Sequence, residues 1–356
     1  MPTPLARRLG LDHPLVLAPM AGETASAGLV AAVSAAGGLG SLGAAYLTPE
    51  AIAAACQEIR DRTDRPFAVN LFAPLPAEPA DPAAEAEYRA RLAALHAEAG
   101  LPPPPAEVAA GPRFDEQLAA LIEGGAPVFS ITFGLPPQPA IDRLKAAGLF
   151  TIGTATTPAE ARAVEAAGFD AVMAQGYEAG GHRGGFTGDR REGGLVGTLA
   201  LVPQVVDAVA IPIIAAGAIT DGRGLAAALL LGAQAAALGT AFLRAAECPL
   251  NAGAKAALAA GDAETTTLTR AFSGRMARGL RNRVTERFAA APIPPFPLPN
   301  GLTRPLRSHA ARTLDADLTS VWAGQAAALA REEPAAEIVA RVMAEARTAL
   351  TTAPNL

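Results

Sequence analysis

The segment Asp170–Phe186, DAVMAQGYEAGGHRGGF, places one histidine, His182, in a loop with Gly176, Gly180, Gly181, Gly184 and Gly185. A neutral imidazole there is suited to general-base work near pH 7, because its ordinary pKa lies about at 6.5. The flanking glycines let the backbone come close to a flat ligand and leave the ring unhindered. The other three histidines, His13, His96 and His309, read as surface or packing residues. Gln175 precedes the loop at the end of an apolar run.

Two further stretches have the form of a phosphate site. The run Pro212–Ala216 ends at Gly217, and Ala235–Leu238 ends at Gly239-Thr240. Backbone N–H groups at such strand ends, beside a short helical turn, can hold a phosphate. Gly217, Ala237, Leu238, Gly239 and Thr240 are therefore candidate phosphate-region residues. Met20 and Asn70, each ending an earlier apolar run, face the same side, and Asn70 offers both a donor and an acceptor to a ring edge.

These residues need a scaffold that brings strand ends together. Eight β-rich runs, beginning near Leu15, Leu39, Phe67, Val128, Phe150, Ala171, Pro212 and Ala235, alternate with Ala-rich helical stretches. Parallel strands joined by single helices predict a (β/α)₈ barrel, with a doubly wound open sheet as the other solution. The GxGxxG at Gly38–Gly43 closes a helix and enters a strand. That order is the reverse of a dinucleotide fingerprint, so its glycines serve turn and packing. Residues 74–112, with a PPPP run, read as an insertion after the third strand. The expected division is a barrel over 1–246 and a C-terminal cap over 247–356. The Arg-rich stretch Arg270–Arg283 reads either as structural ion pairing or as a loop lending one Arg to an anionic ligand.

The 356 residues are 51% hydrophobic and 18% charged, with a net charge of −5, so nucleic acid and an anionic membrane surface are poor partners. Cys56 and Cys248 are isolated, which predicts no disulfide framework and no metal. The start of the chain has no continuous apolar segment, and a cytoplasmic protein is expected.

Taken together, LAPMAG at 17–22, AVNLF at 68–72, SITFGLP at 130–136, AQGYEAGGHRGGF at 174–186, PIIAAGAITDGRG at 212–224, LGTAFL at 238–243, SGRMARGLRN at 273–282 and SVWAGQAA at 320–327 resemble the nitronate monooxygenase (2-nitropropane dioxygenase) family, class I in particular. The resemblance implies an FMN-bearing barrel that oxidises alkyl nitronates, such as propionate 3-nitronate, or nitroalkanes with O2 to a carbonyl product and nitrite. It implies His182 as catalytic base, FMN contacts from Asn70, Gln175, Gly180 and Gly217, and a phosphate region at Ala237–Thr240. Two positions depart from the pattern: Ala218 stands where the family usually has a second Gly, and Ala237 where it often has Gln. An FMN-dependent NAD(P)H oxidoreductase, of the enoyl-reductase or quinone-reductase kind, and a non-catalytic flavin-binding protein stay open as alternatives. A homo-oligomer is compatible with the sequence.

Overall fold

Apolar β-branched runs bounded by glycine, alternating with Ala-rich stretches capped by Thr, Ser or Asp, give parallel strands wrapped by helices. A computed structural model describes residues 2–22, 24, 26–76, 78–79, 81–186 and 194–352. Its strands are β1 (Leu15–Leu17), β2 (Met20–Ala21), β3 (Gly40–Gly43), β4 (Phe67–Phe72), β5 (Val128–Thr132), β6 (Phe150–Ala155), β7 (Ala171–Gln175), β8 (Gly181–His182), β9 (Ile213–Ala216), β10 (Ala235–Leu238), β11 (Thr266–Thr269) and β12 (Ala277–Leu280). The helices used below are α1 (Pro4–Arg8), α2 (Ala27–Ala35), α3 (Pro49–Arg62), α4 (Pro82–Glu98), α5 (Phe114–Glu123), α6 (Gln138–Ala146), α7 (Pro158–Ala166), α8 (Thr198–Val206), α9 (Gly222–Leu230), α10 (Ala252–Ala260), α11 (Arg283–Arg287), α12 (Leu298–Leu302), α13 (Arg304–Thr313) and α14 (Ala335–Thr351).

The main sheet runs β1-β10-β9-β7-β6-β5-β4-β3-β2, all parallel. Leu17 N–H donates to Leu39 O at 2.8 Å and Leu39 N–H to Leu15 O at 2.9 Å, which joins β1 to the entry of β3 and closes the ring. The structure is therefore the (β/α)₈ barrel expected from the alternation. Strand periodicity splits the core in two. Val16, Leu39, Ala68, Val128, Ile152, Met173, Ile214 and Ala237 fill the barrel with Leu5 of α1 and Leu9 just after it, while Leu17, Val69, Ile131, Val172 and Leu238 meet the helices. At its lower end α1 is tied to the loop before β10, where Leu5 N–H reaches Gln234 Oε1 at 3.0 Å. Gly40 and Gly43 sit where a Cβ would meet the backbones of Val30 and Met20, the packing role expected of that glycine cluster.

Two parts of the chain pack differently from the expectation. Residues 247–356 do not all form a cap. The stripe Ala335, Ile338, Val339, Val342, Met343 and Ala346 of α14 is buried in the layer between helices and sheet. A Cβ on Gly222 would collide with Val342 and Ala346 backbone, so α14 lies directly against α9 and supplies the eighth barrel helix. Its apolar face needs a partner, and the slot between α9 and α2 is the one left uncovered by the preceding helices. The insertion, for its part, packs with the excursion after β10. Tyr88, Leu92 and Leu95 of α4 form one cluster with Phe272, Val284, Phe288, Leu302, Leu306 and Ala310, and Tyr88 Oη donates to Ala271 O at 2.7 Å. No described helix is long and apolar enough to cross a membrane.

Candidate active site

At the C-terminal ends of the barrel strands lies a cavity of about 520 Å³, inside the range of about 300–1,000 Å³ usual for ligand sites. Met20, Asn70, Gln175, Gly180, His182, Gly217, Ala237, Gly239 and Thr240 all line it. Leu238 does not; as the alternate residue of β10 it points outward into the helix layer, fully buried. No Asp or Glu is among the described residues that line the cavity, whereas Arg304 and Arg307 are.

One wall is made of backbone and small side chains. Gly217 has φ +124°, and a Cβ there would stand 2.5 Å from Thr198 Oγ1. The Thr198 hydroxyl reaches Gly217 O at 3.1 Å, and Thr198 N–H donates to Glu178 Oε2 at 2.6 Å. This ties the β7 loop, the start of α8 and the β9 loop into one unit. Thr240 Oγ1 accepts from Gly324 N–H at 2.9 Å, so the WAGQ segment is seated on the β10 loop. Ala218 adopts φ +53°, a left-handed conformation that costs a side-chain-bearing residue roughly 1–2 kcal/mol. The missing second glycine is thus felt as backbone strain beside the site.

On the opposite wall stand side chains brought from far apart in sequence. The His182 ring is surrounded by Trp322 at 5.5 Å, Phe133 at 5.6 Å, Phe72 at 6.2 Å and Phe296 at 6.4 Å between centroids. Its Nε2 lies 2.8 Å from Ser273 Oγ. Burial, with Arg275 and then Arg307 nearby, pushes the His182 pKa down to about 3, so the ring is neutral at pH 7. Both ends of the Gln175 amide hold this loop: Nε2 donates to His182 O at 3.0 Å and Oε1 accepts from Gly184 N–H at 2.7 Å. Asn70 is buried and donates to Ser130 Oγ at 2.9 Å and Thr132 Oγ1 at 3.3 Å, which leaves its Oδ1 for a donor in the cavity.

A third feature was not foreseen from the sequence. Tyr46 follows β3 into the mouth of the barrel, and its buried hydroxyl has no hydrogen-bond partner among the described residues. Burial raises its pKa to about 12, against the opposing pull of Arg307 and Arg304. The two arginines are spaced i, i+3 on α13, so they share one helical face. By contrast Phe272 is the one described residue of Arg270–Arg283 that lines the cavity. Arg270 bonds Gly274 O at 2.8 Å, Arg275 bonds Gly185 O and lies 4.0 Å over the Phe133 ring, and Arg278 bonds Tyr177 O at 3.1 Å. Arg183 is likewise committed to backbone carbonyls, of Thr156 at 3.2 Å and Gly194 at 2.7 Å. His96 is buried, its Nδ1 2.5 Å from Pro102 O, in the packing role expected for it. Among the described residues no group of three or more His, Cys, Asp or Glu could hold a metal ion.

The site fits a flat, anionic cofactor: a cradle too tight for a Cβ at Gly217, a free amide oxygen at Asn70 and no competing carboxylate. Residues 5–345 match the family model described as nitronate monooxygenase. A nitronate monooxygenase of Pseudomonas aeruginosa is 44% identical over 347 residues, covering 96% of this chain and 98% of the relative. A probable nitronate monooxygenase of Staphylococcus aureus is 39% identical over 344 residues, covering 95% and 96%. Among solved structures, nitroalkane oxidase from Streptomyces ansochromogenes superposes with a TM-score of 0.91 at 43% identity, covering 98% of this chain and 99% of that one. FabK from Thermotoga maritima superposes with a TM-score of 0.77 at 30% identity, covering 99% and 98%.

Proposed function

The chain belongs to the nitronate monooxygenase family, and on that premise we propose that it oxidises alkyl nitronates and nitroalkanes with O2, using FMN and His182, to a carbonyl compound and nitrite. The observation that carries this reading is a neutral imidazole facing a cavity whose charged lining, among the described residues, is cationic. A nitroalkane loses its α-proton to such a base, and the resulting nitronate is an anion that Arg304 and Arg307 attract. FMN, when bound, supplies the electron acceptance that no side chain offers and passes electrons to O2. Gly217, Gly239, Thr240 and the backbone at Ala237 and Leu238 would hold its phosphate end, with Met20, Asn70 and Gly180 beside the ring. Gln175 serves mainly by holding the His182 loop, and its remaining amide N–H would be available to the cofactor.

The orphan Tyr46 hydroxyl with Arg304 and Arg307 makes a pole suited to a second acidic group on the substrate, as in propionate 3-nitronate. The unit 247–334, braced by the insertion 74–112, would add Trp322, Arg304 and Arg307 to the substrate wall beside Tyr46 and His182 of the barrel loops, while the strand ends of the barrel would supply the cofactor wall. The two buried free thiols, Cys56 and Cys248, suit a reducing cytoplasm.

One second reading is a flavin enzyme reduced by NAD(P)H. Anaerobic mixing of the purified protein separately with propionate 3-nitronate, ethylnitronate and NADPH discriminates. Flavin bleaching by the nitronates is expected. Bleaching by NADPH with no response to either nitronate would overturn the monooxygenase reading, and a protein that takes up no FMN on reconstitution would overturn both.

A further inference from the structure

Resting on that functional reading, we propose that Ser273 holds the His182 ring with its proton on Nε2, so that Nδ1 is the atom that takes the α-proton. Ser273 is 1% exposed, and its Oγ has three neighbours. Arg275 N–H donates to Oγ at 3.3 Å, the hydroxyl donates to Arg275 O at 3.1 Å, and His182 Nε2 lies at 2.8 Å. A hydroxyl has one proton. Spent on the Arg275 carbonyl, it leaves Oγ able only to accept from the ring, which requires Nε2–H. In the other tautomer the hydroxyl would turn to Nε2 and abandon the carbonyl of a buried residue. The ring would then aim Nδ1–H into the cavity, where no described protein group accepts it. That arrangement loses the hydrogen bond to Arg275 O and leaves an N–H donor without a partner among the described residues, two costs that the first arrangement avoids.

The turn that presents Ser273 is itself fixed. Gly274 has φ +86°, and a Cβ there would stand 2.6 Å from Phe296 N and Pro294 O. The backbone of His182 is held on the other side, since Arg183 N–H donates to Met276 O at 2.9 Å and β8 pairs with β12 at Ala277. Ring and hydroxyl therefore keep their register. In the step assigned to Nδ1, the substrate C–H bond breaks and its proton goes to Nδ1. The electron pair becomes the C=N bond of the nitronate, with the charge on the two nitro oxygens. Ser273 touches neither substrate nor cofactor and acts through the ring, as a positioning residue.

Four histidines in the chain make the tautomer directly measurable. Holoenzyme labelled with ¹⁵N-histidine, with His182 assigned by the loss of its signals in His182→Gln, is expected to show a protonated Nε2 and a bare Nδ1. In Ser273→Ala the ring is expected to lose this single tautomer, and kcat on neutral nitroethane to fall roughly 10–100-fold while kcat on preformed ethylnitronate stays within about twofold. Ser273→Thr, which keeps the hydroxyl, should restore both the tautomer and the nitroethane rate. A protonated Nδ1 in the parent enzyme overturns the proposal without recourse to any variant. So does a Ser273→Ala protein with the parent's tautomer and nitroethane rate. A parent with protonated Nε2 and no activity on either nitro substrate overturns the functional reading, while the tautomer assignment stands.

Discussion

The two walls of the cavity are built by different means. The wall at the ends of β9 and β10 is backbone: Gly217, Ala218, Gly239 and Thr240 act through their position at strand ends. The wall facing it is a set of side chains, His182, Trp322, Arg304 and Arg307, gathered from segments up to 140 residues apart, with Ser273 and Phe296 set against the His182 ring. The first wall can bind a common cofactor with almost no side-chain chemistry. The second brings the imidazole and the charged groups to the cavity.

The sharpest way to break this comparison is at His182. His182→Asn is expected to lose roughly 10²–10⁴-fold in kcat on neutral nitroethane, less on preformed ethylnitronate, and to keep its flavin. Nitrite release on both substrates and flavin content of the purified protein check it. Equal losses on both substrates would remove the base role, and loss of flavin would erase the distinction between the walls.

Next comes the cofactor wall. Gly217→Val must place a branched side chain at φ +124° and against Thr198, and FMN binding is expected to weaken by about 10–100-fold. Flavin fluorescence titration of the apoprotein reads this, and unchanged affinity would move the phosphate site to another strand. On the substrate wall, Arg307→Gln is expected to raise KM for propionate 3-nitronate about tenfold and to leave ethylnitronate nearly unaffected. A parallel rise for both substrates would assign Arg307 to the nitro group or the fold instead of an acidic tail.

Acid sharpens the contrast further. The His182 pKa lies far below its unfolded value, so the unfolded chain binds a proton first as pH falls. Stability from keeping this ring neutral is fully present above about pH 6.5 and declines by up to about 1.4 kcal/mol per pH unit below it, toward the folded value. His182→Gln should show a shallower acid limb in urea unfolding between pH 6.5 and 4, and identical limbs would mean that the ring is protonated in the folded protein. The smallest effect is at Ala218. Ala218→Gly is expected to stabilise the apoprotein by about 0.5–1 kcal/mol, the relief of left-handed strain less the entropy of glycine, read by urea midpoint at constant slope. A lower midpoint would mean that the turn tolerates Ala without strain.

What was legible in the sequence follows the same division. All eight barrel strands, seven of the helices that wrap them, and the placement of His182, Gly217 and Gly239 at strand ends come from patterns within ten or so residues of each site. Those patterns reflect local dihedral and periodicity rules. Ser273 and Trp322 were visible only as parts of family-like motifs, and Phe296 only as part of a Pro-rich stretch, because their roles arise from the fold of the excursion after β10. Tyr46 could have been found: it lies three residues past the end of β3, on the face where barrel sites form. Arg304 and Arg307 carried a weaker signal, an i, i+3 pair on a helix opened by Pro305, and attention to the denser Arg270–Arg283 run masked it. In that run Arg270, Arg275 and Arg278 instead anchor backbone carbonyls, and Arg283 pairs with Glu98 and Asp315. The role of α14 was hidden by distance, since nearly a hundred residues separate it from β10, the strand it follows in the barrel pattern.

That distance also bears on biosynthesis. A chain made from its N-terminus exposes α2 and β1 early, yet β1 pairs with β10 and α2 meets α14 only after most of the polypeptide has been translated. At about 5–20 residues per second, the first barrel strand spends many seconds with one edge open on the ribosome. Ring closure is therefore among the last events of folding, and the growing chain depends on its short first strand, three residues long and set between Pro14 and Pro19, to offer little template for aggregation in the meantime.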